Sequence, residues 1–153
     1  MASSSRSRPP ALPGCALCDA PGGAMVWQDP AWRVIRADEP DHPAFYRVVL
    51  RRHEAEFSAL DDDERARCMA LVVAVERVLI ERLRPAKVNL AALGNVVPHL
   101  HWHVIARFDW DSHFPQPVWG PRQRAVEPPP LARLPLSLAE LDAAVRTALD
   151  QTG

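Results

Sequence analysis

Long apolar runs are missing from this 153-residue chain, and with them any candidate for a membrane-spanning helix, which needs about 20 apolar residues in a row. The N-terminus carries Arg6 and Arg8 but no apolar stretch behind them. Residues 1–14 are therefore expected to be a flexible tail and not a secretory leader. Excess charge of one sign is also lacking. Eighteen Lys plus Arg stand against 19 Asp plus Glu, a formal net charge of -1. No bulk field recruits nucleic acid or a membrane surface, and an anionic partner must be held locally. Cysteine is scarce and odd in number, at three residues. That argues against a disulfide framework and for a reducing compartment, with the cytoplasm as the expected location. No internal repeat, Walker pattern or Gly-rich phosphate loop is present, so no organic cofactor is expected.

What is present suits one compact domain with extensions, since 48% of the residues are hydrophobic. The spacing predicts a β-hairpin over Met25–Gln28 and Ala31–Arg36, a loop around Asp38-Glu39-Pro40, and a strand from Phe45 to Arg51. Asp61 with Glu64 three residues on is a capping box. The helix it opens buries a stripe of Cys68, Leu71, Val72, Val75, Val78, Leu79 and Leu83, and ends at Arg84-Pro85. Cys68 on that stripe reads as a packed thiol. Lys87–Ala92 reads as a strand, followed after a Leu93-Gly94-Asn95 turn by a second strand running to Phe108. The short connection predicts an antiparallel pair that brings Asn89 towards the face of the second strand's histidines. From Asp109 to Pro135, prolines and scattered tryptophans give an irregular meander. Ser137 and Glu140 then form a second capping box, opening a last helix. His42 and His113 are expected to be solvated loop residues.

The chemistry concentrates in His99-Leu100-His101-Trp102-His103. A strand's period of two sends the three imidazoles to one face and Leu100, Trp102 and Val104 to the other. Three histidines on one face serve two chemistries. They can hold a catalytic zinc with an open fourth position, although one strand rarely supplies a whole tripod. Alternatively one neutral imidazole, with a normal pKa of about 6.5, attacks phosphorus while the others orient it and hold phosphate oxygens. Cys15-x-x-Cys18 is a separate signal, because its spacing lets two thiolates share one tetrahedral metal ion.

With Val104-Ile105 the run matches the His-φ-His-φ-His-φ-φ signature, where φ is apolar, and resembles the histidine triad (HIT) family of nucleotide hydrolases and transferases. The similarity extends from Cys15/Cys18 to about residue 108. The resemblance implies an α+β fold, with an antiparallel sheet of about five strands and a packed helix, paired as a homodimer. The expected organisation is a HIT-like domain over residues 15–110 and a Pro/Trp-rich extension with a C-terminal helix over 111–153. It implies a nucleotide substrate, with His101 as nucleophile at the α-phosphate, His103 binding phosphate and His99 orienting the middle ring. Asn89 and Asn95 are expected around the scissile phosphate, and Asp38 at the ribose hydroxyls. By the same resemblance Cys15, Cys18, His53 and His99 are the expected ligands of a structural zinc. The sequence departs from the family pattern at Asn95, where Gln is usual, at Val96, where a small hydroxyl residue is usual, at Ala106 and Leu50 in place of Pro, and at Pro43-Ala44-Phe45 in place of Pro-Gly-His. The alternative class is a nucleotide-binding or zinc-stabilised interaction protein with little turnover.

Overall fold

The computed structural model describes residues 11–153, so the first ten residues of the expected tail lie outside the described residues. A four-residue helix, α1 (Ala16–Asp19), leads into strands β1 (Ala24–Gln28), β2 (Trp32–Arg36) and β3 (Phe45–Leu50). The long helix α2 (Asp62–Leu83) follows, then β4 (Lys87–Ala91), β5 (His101–Arg107) and the closing helix α3 (Leu138–Asp150). The strands form one antiparallel sheet in the order β1-β2-β3-β5-β4. The expected α+β class with five strands and a packed helix is what the chain adopts. Among the described residues, no helix is long and apolar enough to cross a membrane.

Local chemistry sets these boundaries. At the start of α2 the Asp61 carboxylate accepts from the Glu64 amide and the Glu64 carboxylate accepts from the Asp61 amide, satisfying two donors the helix cannot pair internally. Arg84 closes the helix in the left-handed region at φ 48°, and Pro85 cannot extend it. All seven stripe residues of α2 are buried. They pack with Val34, Val48 and Val104 in one core on one face of the sheet. Full burial of each large side chain is worth about 1.5–3 kcal/mol, so packing outweighs intrinsic propensity in this helix. The Ser137–Glu140 box forms as expected, and Leu141, Val145 and Leu149 of α3 enter the same core as α2. Tyr46 donates to Asp142 at 2.6 Å, with Arg36 paired to the same carboxylate, fixing α3 against the sheet.

The sequence expectations need two corrections. The histidine strand begins at His101, leaving His99 just outside the ladder, because Pro98 has no donor and the His99 amide turns back to the Val97 carbonyl at 2.8 Å. His42 is 5% exposed, not solvated. The segment after β5 folds over the β2–β3 connection, setting the His113 ring 5.2 Å from His42 and pairing Arg122 with Asp41.

Candidate active site and metal centre

The sheet face opposite α2 carries the polar residues. Register places Val49 beside His101 and Arg47 beside His103 on β3 and β5, with Ala91 of β4 on the other side of His103. Leu100 and Val104 are buried in the core behind the sheet, as the alternation predicts. His101 and His103 line a cleft of about 550 Å³, whose walls include Arg47, Asn95, Val96 and Trp119. Gly94 (φ 76°) makes the turn that starts one wall, a conformation that favours glycine.

Each histidine has a distinct setting. His101 Nδ1 lies 2.5 Å from the His99 carbonyl oxygen. A carbonyl only accepts, so Nδ1 carries the proton and Nε2 the lone pair. Burial lowers the His101 pKa, the bond to His99 opposes that shift, and the Arg47 charge adds to the lowering. His103 is packed against the rings of His101, Phe45 and Trp119 at 4.8, 5.2 and 5.1 Å. Burial, with the charges of His101 and Arg47, pushes its pKa down to about 3, and its Nδ1 has no partner. Both rings are therefore neutral near pH 7.

His99 turns its ring elsewhere. Its Nε2 meets the Leu50 carbonyl at 2.5 Å, and its Nδ1 lies 3.5 and 3.4 Å from the Sγ atoms of Cys15 and Cys18. His53 Nδ1 is 3.5 Å from Cys18 Sγ. The ligand atoms of these four residues lie within 4.8 Å of one another, a cluster able to hold a metal ion. The fit is quantitative, because zinc with bonds near 2.3 Å to sulfur and 2.0–2.1 Å to nitrogen gives tetrahedral S···N edges of about 3.5 Å. The Leu50 carbonyl fixes the His99 tautomer so that Nδ1 presents its lone pair to the thiols.

The remaining expected residues divide. Asn95 is exposed and lines the cleft. Asn89 shares the histidine face, but its Oδ1 accepts from Arg107 at 2.9 Å and does not line the cleft. Asp38 is exposed in the β2–β3 connection and also lies outside the cleft lining. Sequence reasoning missed Arg47 and Trp119. Arg47 was visible as a charge inside the apolar run Phe45–Leu50, whereas Trp119 sits in the meander without a periodic signal.

This fold, with His101 and His103 on one cleft and a separate thiol–imidazole cluster, can be set beside known proteins. A family model described as the HIT domain matches residues 22–110. The chain belongs to the HIT domain family. Among solved structures, a histidine triad protein from Bradyrhizobium japonicum is 29% identical with a TM-score of 0.67, over 94% of this chain and 98% of that one. A histidine triad protein from Marinobacter aquaeolei is 27% identical with a TM-score of 0.68, over 87% and 93%. A zinc-bound histidine triad family protein from Mycobacterium smegmatis shares the fold at 20% identity and a TM-score of 0.59, over 90% and 94%. No curated protein matches the chain. The HIT match stops at residue 110, so Trp119 belongs to a wall of the cleft built outside the matched segment.

Proposed function

We propose that this HIT protein is a nucleotide hydrolase or transferase that cleaves a dinucleoside polyphosphate or a nucleoside phosphoramidate at the α-phosphate. The observation that carries the reading is the His101 ring, tied at Nδ1 to the His99 carbonyl and lining the cleft with Nε2 free. In the first half-reaction Nε2 attacks the α-phosphorus and forms a P–N bond. The bond to the leaving group breaks with its electron pair going to the leaving group, which departs as a phosphate oxyanion from a P–O bond or, with its nitrogen already protonated from solvent, as a neutral amine from a P–N bond. In the second, water attacks the same phosphorus, the bond to His101 breaks, and a nucleoside monophosphate is released. Neutral His103 beside the nucleophile contributes a hydrogen-bonding nitrogen to the phosphate oxygens. Asn95 contributes an amide at the rim, and Asn89 acts behind the site through Arg107.

Cys15, Cys18, His53 and His99 would hold a structural zinc. A closed Cys2His2 set supplies cross-linking of the N-terminal segment to the sheet, not reactivity. The zinc-bound M. smegmatis neighbour supports this reading. The proposal includes a homodimer working in the cytoplasm on a free nucleotide.

The test measures nucleoside monophosphate release from diadenosine tetraphosphate and from adenosine phosphoramidate, with His101→Ala beside wild type. The variant is expected to lose roughly a thousandfold or more of the rate. Turnover that survives the substitution would sink the assignment. A second reading, a nucleotide-binding protein with little turnover, is favoured by Val96, which is 92% exposed at the cleft where the family carries a hydroxyl. Wild type that binds nucleotide yet releases no product selects it.

A further inference from the structure

Arg47 is half-buried on β3, directly across from His103. Its Nε is buried and has no hydrogen-bond partner. Its Nη1 reaches only the Gly22 carbonyl, at 3.4 Å, the outer edge of hydrogen bonding. The guanidinium stands 5.2 Å from the centre of the Phe45 ring. Among the described residues Arg47 takes part in no ion pair. The acid its charge senses is Glu39, in the exposed β2–β3 connection. A charge taken out of water is costly unless it is paired. Here no carboxylate among the described residues pairs the cation, and it borders a cleft.

Arg47 is also the only Arg, Lys, Asp or Glu among the residues lining that cleft. Among the described residues it therefore supplies the guanidinium of that lining. Guanidinium is always cationic and forks onto phosphate oxygens, which matches an anion seated beside His103.

We propose that Arg47 is the anion-holding residue of this cleft, pairing the phosphate oxygens of the substrate and making the site select phosphorylated nucleosides over uncharged ones. The inference rests on the hydrolase reading for the identity of the nucleotide, and the experiment separates the two.

Adenosine monophosphate, inorganic pyrophosphate and adenosine are titrated calorimetrically into wild type, Arg47→Gln and Arg47→Lys, with thermal midpoints recorded. Arg47→Gln is expected to weaken the monophosphate and pyrophosphate by about ten- to hundredfold, leaving adenosine and the midpoint unchanged. Arg47→Lys restores part of the loss, because it keeps the charge without the fork. Wild-type affinity for both anions in Arg47→Gln overturns the proposal. A parallel loss of adenosine binding with a lowered midpoint also overturns it, since Arg47 then only anchors Gly22. A wild type that binds pyrophosphate through Arg47 but releases nothing from either nucleotide substrate sinks the hydrolase reading and keeps the anion site. A wild type that binds neither anion refutes the anion site, and the hydrolase reading then stands or falls on product release alone.

Discussion

Asp111→Asn tests what holds the segment after β5 in place. The Asp111 carboxylate is 1% exposed. It accepts from Arg107 Nε at 2.8 Å and Nη2 at 3.1 Å, and from the amides of Phe108, His113 and Phe114 at 3.1, 3.0 and 2.8 Å. Arg107 itself is 2% exposed. An asparagine keeps the shape but presents an NH2 group to this ring of donors and leaves Arg107 without its counter-charge. Breaking a buried pair from one side costs about 3–5 kcal/mol, a large part of a typical stability of about 5–15 kcal/mol. For a chain of this size the thermal midpoint should fall by about 6–20 °C.

The pH dependence of Asp111 has a definite sign. Burial alone would raise its pKa, but the bonds from Arg107 and the backbone amides outweigh burial and hold it below the ordinary 3.8. A depressed native pKa stabilises the fold at pH values above the unfolded one, and that contribution is lost as pH falls through the folded pKa. The gap between wild type and variant should therefore be full near pH 7 and shrink below about pH 4. Circular dichroism melts across that range provide the check. An Asp111→Asn midpoint within about 3 °C of wild type at pH 7 would refute the reasoning.

Purified wild type should carry about one zinc per chain, and Cys15→Ser much less, by elemental analysis. Metal-free wild type would defeat the ligand assignment. Trp119→Ala strips part of the packing that buries His103, so the His103 pKa should rise from about 3 towards 6.5, read by NMR titration of the imidazole. An unmoved value would show that Trp119 does not shield it. Tyr46→Phe removes the donor to Asp142 and should cost about 1–3 kcal/mol in urea denaturation. A loss below about 0.5 kcal/mol would mean that the Arg36–Asp142 pair holds α3 without it.

The elements that could be read in the sequence were those specified by near neighbours. Two capping boxes and one helical stripe each involve residues within a few positions of one another and formed as written, and the alternating strand formed from His101 onward. The thiol pair was legible from its spacing, but the imidazole half of the cluster only through resemblance, because Cys15 and His99 stand 84 positions apart. Arg47 shows what local pattern omits. Alternation assigns it a face, but only the β3–β5 register puts His103 on that face beside it. The meander after β5 gave no period because side chains and loop contacts order it, with the Asp111 carboxylate gathering its first turn and Arg124 and Arg122 holding it further on. Asp111 follows Arg107 by four positions, a spacing that outside a helix signals nothing. His42 was misjudged for a related reason, since its cover arrives from His113, in a distant segment.

His99 joins the two halves of the molecule through different atoms. Its ring spans the sheet and the N-terminal thiols, with Nε2 at Leu50 and Nδ1 at Cys15 and Cys18. Its carbonyl, on the same residue, meets His101 Nδ1 and so decides which nitrogen of the proposed nucleophile is free. The Leu50 amide donates to the Leu100 carbonyl, and the Leu100 amide to the Glu54 carbonyl. Leu100, which follows the His99 carbonyl, is thus clamped through both its amide and its carbonyl. A metal ligand at this position would serve the proposed catalytic strand without entering the cleft, because its main chain meets the His101 ring while its side chain faces the thiols. On the proposed reading, the first of three similar histidines would hold the fold by its ring and bear on His101 only through its backbone. That division follows from where β5 begins: the ladder starts at His101, so the His99 ring is free to turn towards the thiols.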